Sequence, residues 1–304
     1  MEKYFKNKFY ASLIAIFTCF LWGTAIPMIK STYEIMNISS TEDKIFLAGI
    51  RFFLAGILVI VYKLIFDREE KTNFKKLDYK FLFFIALTQV TIQYMAYYIG
   101  LSNTAGVKSS IIQGFNSIIT VVVASLVFKD DKMNKEKLLA IIFGVLAILI
   151  ANLSGKGIDF SFSLNGEGLV FVSMICGSLG TIIMRKFGQD KNSYIVSIFQ
   201  FIIGSSILII LSKIFGAKIY FNKLGLILVL YGAFVSATAF LLWYLLLKYQ
   251  KASNVGIFKL FIPVFGSMLS VIFLNEKYTL NLIISLFLTI VSTLLVNIKK
   301  GKTY

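Results

Sequence analysis

The feature that most constrains this chain is a succession of apolar runs, each long enough to cross a bilayer and separated by short charged segments. A spanning helix needs roughly 17–25 apolar residues, because the hydrocarbon core is about 30 Å thick and a helix rises about 1.5 Å per residue. Runs of that kind fall at about 9–30, 45–66, 79–101, 105–128, 136–153, 167–186, 193–214, 223–247, 252–274 and 279–298. The longest connection, Asp67 to Asp78, is a short charged loop, so no soluble domain fits between the runs. Hydrophobic residues make up 58% of the 304, and the mean hydropathy is +0.81. A soluble domain of about 45–50% apolar residues already fills its core, and lipid is the natural solvent for the excess. The expected fold class is all-α integral membrane, with ten transmembrane helices.

The net charge of +16 argues about orientation. The basic residues sit mostly in the short loops. With the N-terminus cytoplasmic, the inside segments carry about three times as many Lys and Arg as the outside ones. The loop holding Lys213, Lys218 and Lys223 is the local exception. This bias predicts a multi-pass protein of the plasma membrane with both termini cytoplasmic. It also predicts contact with anionic lipid. No basic stripe lies on a soluble module, which excludes nucleic acid as a partner. The basic start, Met1 to Lys8, precedes a run too long for a cleaved signal peptide, so that run reads as the first permanent helix. The sequence is compatible with a homodimer.

The two halves resemble each other in order. Cys19, Gly23 and Thr24 in the first run recur in register as Cys176, Gly180 and Thr181 in the sixth. Ile50 to Gly56 aligns with Phe199 to Ser205, and Tyr97 and Ala105 recur as Tyr244 and Ala252. Phe128-Lys129-Asp130-Asp131-Lys132 after the fourth run is echoed by Phe273-Leu274-Asn275-Glu276-Lys277 after the ninth, and Asn152 closes one half as Asn297 closes the other. Each half holds an odd number of runs, so the second copy enters the membrane upside down. The expected organisation is two inverted five-helix repeats, 1–154 and 155–304, around a central cavity.

These residues carry a family resemblance over nearly the whole chain. Leu21-Trp22-Gly23, Ile50-Arg51-Phe52, and the stretch from Tyr244 through Ala252 to Pro263 and Glu276 resemble the drug/metabolite transporter superfamily, specifically its ten-helix EamA-type branch. Asn116 stands where the first half's proline belongs, Asp131 stands near its glutamate, and Asn275 replaces the turn glycine of the second half. The resemblance implies export or exchange of amino acids, related metabolites or toxic small molecules by alternating access. Uptake of a small organic nutrient is the runner-up, and a channel or scaffold is the alternative from another class.

Polar groups inside a membrane are costly and each asks for an explanation. Gln89, Gln93 and Tyr97, spaced by four, share one stripe of the third helix. Gln113 and Asn116, three apart, share a face of the fourth. Both sets suit the lining of a polar substrate pathway; the alternative is interhelical hydrogen bonding, worth roughly 0.6 kcal/mol per contact. Lys259 precedes Pro263 by four residues, so the carbonyl freed by the proline is its own. An ammonium beside a free carbonyl can hold a polar ligand or snorkel to the interface. Trp22 lies deep enough to line the cavity. Trp243 reads as an interfacial anchor, and so does Arg51; Lys108 reads as a snorkelling lysine. Gly23, Pro27, Gly180 and Pro263 are expected hinge or helix-packing points.

The chain has no histidine, which removes His-based metal sites, triads and proton relays. Every carboxylate falls at a predicted membrane edge, so a proton- or sodium-coupled carrier lacks its usual intramembrane acid. No Walker motif, acid pair or thiol dyad appears, so neither ATP drive nor an enzyme is expected, and no cofactor or metal. Cys19 and Cys176 sit inside apolar runs and read as small packing residues. The remaining buried charges are basic, favouring a zwitterionic or anionic small-molecule substrate.

Overall fold

The structure is a computed structural model and describes residues 2–68, 73–104, 106–151, 163–274 and 280–297. The described residues are helical or in turns and loops, with no strand among them. A short helix α1 (Glu2–Lys6) leads into α2 (Lys8–Ile35), α3 (Thr41–Phe66), α4 (Tyr79–Ser102), α5 (Gly106–Val127) and α6 (Lys135–Ala151). The series continues through α7 (Leu164–Phe187), α8 (Ser193–Ile214), α9 (Lys223–Tyr249), α10 (Ala252–Phe273) and α11 (Leu280–Asn297). Seven of these, α2, α3, α4, α7, α8, α9 and α10, are long and apolar enough to cross a membrane. The described apolar parts of α5 and α11, Ile112–Val127 and Ile283–Ser292, are shorter, and α6 has 17 residues. Asn152, Asp159, Ala105, Asn275, Glu276 and Lys277 lie outside the described residues, as do the side chains of Lys108 and Asn297.

Helix ends follow local chemistry more than hydropathy. The helix α3 begins four residues before the apolar run because Ser40 caps it through the Asp43 N–H, with Glu42 and Asp43 in its first turn. Asn192, Asn222 and Asp78 cap α8, α9 and α4 in the same way. The helix α2 passes through Pro27 without a break.

In lipid, apolar burial gives helices little reason to associate, so close packing and buried hydrogen bonds must hold them. At Gly23 an added Cβ would lie 2.6 Å from Phe265 Cβ, which sets the approach of α2 to α10. At Gly180 it would run into Gln89 Nε2, which sets α7 against α4. Gly49 and Gly56 do the same for α3 against Ile209 and Ile202 of α8, where Phe52 and Phe201 stack with centroids 5.7 Å apart. Ser285 and Ser292 of α11 donate to the carbonyls of Ala147 and Ala140 on α6.

The main helix pairs are α2 with α9 and α10, α7 with α4 and α5, α3 with α9, α8 with α4, and the pairs α3–α8, α5–α10 and α6–α11. Exchanging α2–α6 for α7–α11 in order returns the same set of pairs. Loop contacts sort the connections onto two faces. On one face, Asn192 before α8 donates to Asp67 after α3, Lys191 meets Asp78, and Gln250 reaches the carbonyl of Phe5. On the other, the Lys218 N–H donates to Asp43, Asn222 to the Ile35 carbonyl, and Lys30 to the Thr104 carbonyl.

Candidate functional site

Between the two sets of helices lies a cavity with about 680 Å³ of empty space, open solvent at its edge included. The first half contributes Trp22, Ala25 and Ile29 from α2, Arg51 from α3, Gln89, Gln93, Tyr94 and Tyr97 from α4, and Gln113 and Asn116 from α5. The second half contributes Ser173, Met174 and Gly177 from α7, Phe240 and Trp243 from α9, and Lys259 and Ile262 from α10. All seven residues read from sequence as a substrate pathway therefore meet at one place: Trp22, Gln89, Gln93, Tyr97, Gln113, Asn116 and Lys259.

Two lining helices depart from α geometry beside the cavity. The helix α4 widens into a π turn at Leu87–Ile92, which carries Gln89. The helix α10 tightens into a 3₁₀ turn at Ile257–Leu260, which carries Lys259 and ends shortly before Pro263. Such departures concentrate where a helix must present side chains off its regular register. Pro263 deprives the Lys259 carbonyl of its helical partner, consistent with the tighter turn before it.

The amides both line the cavity and bind the helices together. Gln89 Nε2 donates to the Cys176 carbonyl at 2.9 Å and to Gln93 Oε1 at 3.2 Å. Asn116 Nδ2 donates to the Met174 carbonyl at 3.0 Å, and Ser178 Oγ returns a bond to the Asn116 carbonyl at 2.9 Å. Gln113 Nε2 donates to the Tyr97 hydroxyl. The expected stripe of α4 thus serves as lining and as interhelical contact together. Asn116 Oδ1 and Ser173 Oγ are buried without a partner among the described residues.

Lys259, 6% exposed, donates from Nζ to Thr181 Oγ1 at 3.0 Å. The ammonium sits 4.8 Å from the ring centre of Trp243 and 5.6 Å from that of Trp22, whose rings are 5.2 Å apart. Indole faces stabilise a cation by their quadrupole, most strongly where water is excluded. Among the described residues neither indole N–H has a partner.

Two residues read as interfacial anchors belong here instead. Arg51 is 2% exposed and lines the cavity, its charge spread over neutral acceptors: the Tyr98 hydroxyl at 2.9 Å, Ser236 Oγ at 2.8 Å and the Gly232 carbonyl at 3.1 Å. Its guanidinium lies 4.9 Å from the centre of the Phe52 ring. Trp243 is likewise 2% exposed. Both lie toward helix ends in sequence, yet tertiary packing surrounds them; distance from a run's end does not measure distance from lipid. Gly23 and Gly180 are close-packing points, and Pro27 sits in an unbroken helix. Cys19 and Cys176 are free thiols.

The chain is similar to known membrane proteins along its whole length. It is 28% identical over 292 residues to the uncharacterized transporter YvbV of Bacillus subtilis, covering 95% of this chain and 92% of that one. An uncharacterized transporter of Methanothermobacter thermautotrophicus is 25% identical, with 86% of this chain and 81% of that one covered. The WAT1-related chloroplastic protein At3g02690 of Arabidopsis thaliana is 22% identical over 93% of this chain and 68% of its own. A solved crystal structure superposes with a TM-score of 0.79 at 14% identity, over 95% of this chain and 96% of that one, and so shares the fold. The model of the EamA-like transporter family matches residues 9–153 and again 164–298, and on that nearly complete double match the chain belongs to the EamA-like transporter family.

Proposed function

We propose that this transporter is a carrier of ten transmembrane helices, arranged as two inverted repeats, 1–154 and 155–304, that moves a small polar metabolite through the central cavity by alternating access. The observation that carries the reading is the convergence of Gln93, Asn116, Lys259 and their neighbours from both halves on one cavity in an otherwise apolar bundle. Polar groups at membrane depth are retained where a solute must pass.

Two observations support inversion. The helix pairs map onto themselves when the halves are exchanged. The loop between α2 and α3 meets the α8–α9 loop, whereas the α7–α8 loop, its counterpart, meets the α3–α4 loop on the other face. At about 1.5 Å per residue, the 17 residues of α6 cover about 26 Å, close to the hydrocarbon thickness, so α5, α6 and α11 count as spans beside the seven longer helices. The face gathering α1 and the α3–α4, α5–α6, α7–α8 and α9–α10 loops is the more basic one, which makes it cytoplasmic.

The cargo is zwitterionic or anionic, with amino acids the first class to test, and the favoured direction is export or exchange across the plasma membrane. No carboxylate lines the cavity among the described residues, which favours exchange without proton coupling. Counterflow in proteoliposomes tests the carrier. Labelled solute should enter faster when the vesicles hold unlabelled solute, and the rate should saturate. Flux that never saturates would make the protein a channel, and uphill export driven by a pH gradient alone would refute uncoupled exchange.

A further inference from the structure

The balance of charge and of unspent hydrogen-bonding groups in the cavity narrows the cargo further. Two basic side chains, Lys259 and Arg51, line it, and no acid does among the described residues. An ammonium has three N–H donors, and among the described residues Lys259 Nζ meets one acceptor, the Thr181 hydroxyl. The indole N–H groups of Trp22 and Trp243, whose rings adjoin Lys259, have no partner among the described residues and can only donate. Arg51 meets three neutral acceptors, leaving part of its five-donor fork unspent. Against these donors stand acceptors that are all neutral among the described residues, the buried and unpaired Asn116 Oδ1 and Ser173 Oγ among them. A ligand ammonium would meet only neutral acceptors while sharing a low-dielectric space with two basic side chains. Two anionic groups on one solute would suit the two basic side chains.

We propose that the cavity is a two-pole anion site for a small organic dianion of the dicarboxylate class, one carboxylate held by Lys259 with the indole N–H groups of Trp22 and Trp243, the other by Arg51. This assignment rests on the carrier reading for its physiological meaning, but binding can be measured without transport. The chain has two tryptophans and both bracket Lys259, so intrinsic tryptophan fluorescence reports one pole of the site directly.

The test titrates the purified full chain, in neutral detergent, with succinate, butyrate, γ-aminobutyrate and sulfate. Succinate should give a saturable change, with butyrate weaker by about tenfold or more because one charge pair is lost. The zwitterion γ-aminobutyrate and the compact dianion sulfate should be weaker still. In Arg51→Met, succinate should fall to the level of butyrate while butyrate is unchanged, a convergence that a merely structural arginine would not produce. Arg51→Lys should recover part of the difference, and Lys259→Met should lose the response to both. The proposal is overturned if γ-aminobutyrate matches succinate, if sulfate does, or if no probe alters the fluorescence. Amino-acid counterflow without a succinate response would leave the carrier standing and remove the dianion. A succinate response dependent on Arg51, with no counterflow of any solute, would do the reverse.

Discussion

At the scale of single residues, two glycines in matching positions of the repeat make opposite predictions. A Cβ at Gly180 would collide with the amide end of Gln89, the far part of a flexible side chain. A Cβ at Gly23 would meet Phe265 Cβ at 2.6 Å and the Gly266 backbone nitrogen at 3.1 Å, atoms that no side-chain trimming removes. Each alanine substitution should destabilise by about 1–3 kcal/mol through overpacking. Gln89→Ala should restore most of the stability of Gly180→Ala, whereas Phe265→Ala should restore little to Gly23→Ala. Thermal unfolding of the four single and two double variants in detergent reads both cycles, and equal rescue would mean that the helices yield rather than the side chains. Residue chemistry was legible in the sequence where cost made it so: Gln93, Asn116 and Lys259 stand out because a polar group in an apolar run demands a partner or a solute. Tyr94, Met174 and Phe240 line the same cavity but carry no such signal, since an aromatic or methionine in an apolar run is unremarkable. Arg51 and Trp243 carried a misleading one, because burial among neighbouring helices leaves no mark on the local sequence.

At the scale of elements, the loop after α5 acts as a cap for α10. Asp131, 3% exposed, accepts from the Ser253 N–H at 3.0 Å and from the Ser253 hydroxyl, and pairs with Lys137 Nζ at 2.5 Å. One carboxylate thereby ties the α5–α6 turn in the first half to the start of α10 in the second. Beside it Lys251 Nζ donates to the Asp130 carbonyl, and Arg185 lies 3.7 Å from the Asp130 carboxylate. Asp131→Ala leaves the buried Lys137 ammonium uncompensated and α10 uncapped, and should cost about 3–5 kcal/mol. Adding Lys137→Met removes the stranded charge and should recover a large part of that loss in the same unfolding assay. If the double variant is no more stable than the single one, the cap, not the ion pair, carries the effect. Sequence periodicity and run length located the helices but not this joint. Asp131 reads in sequence as standing near the family's glutamate position, but its partner Ser253, 122 positions away, leaves no local mark. The π turn in α4 is likewise invisible in composition; it arises where Gln89 must reach the Cys176 carbonyl across a glycine-lined contact.

At the scale of the whole molecule, inversion is a statement about faces, and faces can be labelled. The loop between α2 and α3 contacts the α8–α9 loop through Asp43 and Ile35, and the α7–α8 loop contacts the α3–α4 loop through Asn192 and Lys191. The proposed inversion puts corresponding connections of the two halves on opposite faces, as an odd number of spans per repeat demands. With Cys19 and Cys176 replaced by serine, a cysteine placed at Glu34 should react with an impermeant maleimide on intact cells, while one placed at Asp190 should react only after the membrane is opened. The excess of Lys and Arg on the face bearing Asp190 sets that direction. Labelling of both positions from the same side would remove the inverted repeat, because no arrangement of two parallel halves puts these loops on opposite faces. Reversed sides for the pair would keep the inversion and overturn the cytoplasmic assignment of the termini instead. The experiment thus separates the architecture, which follows from helix number and packing, from the orientation, which follows from charge alone.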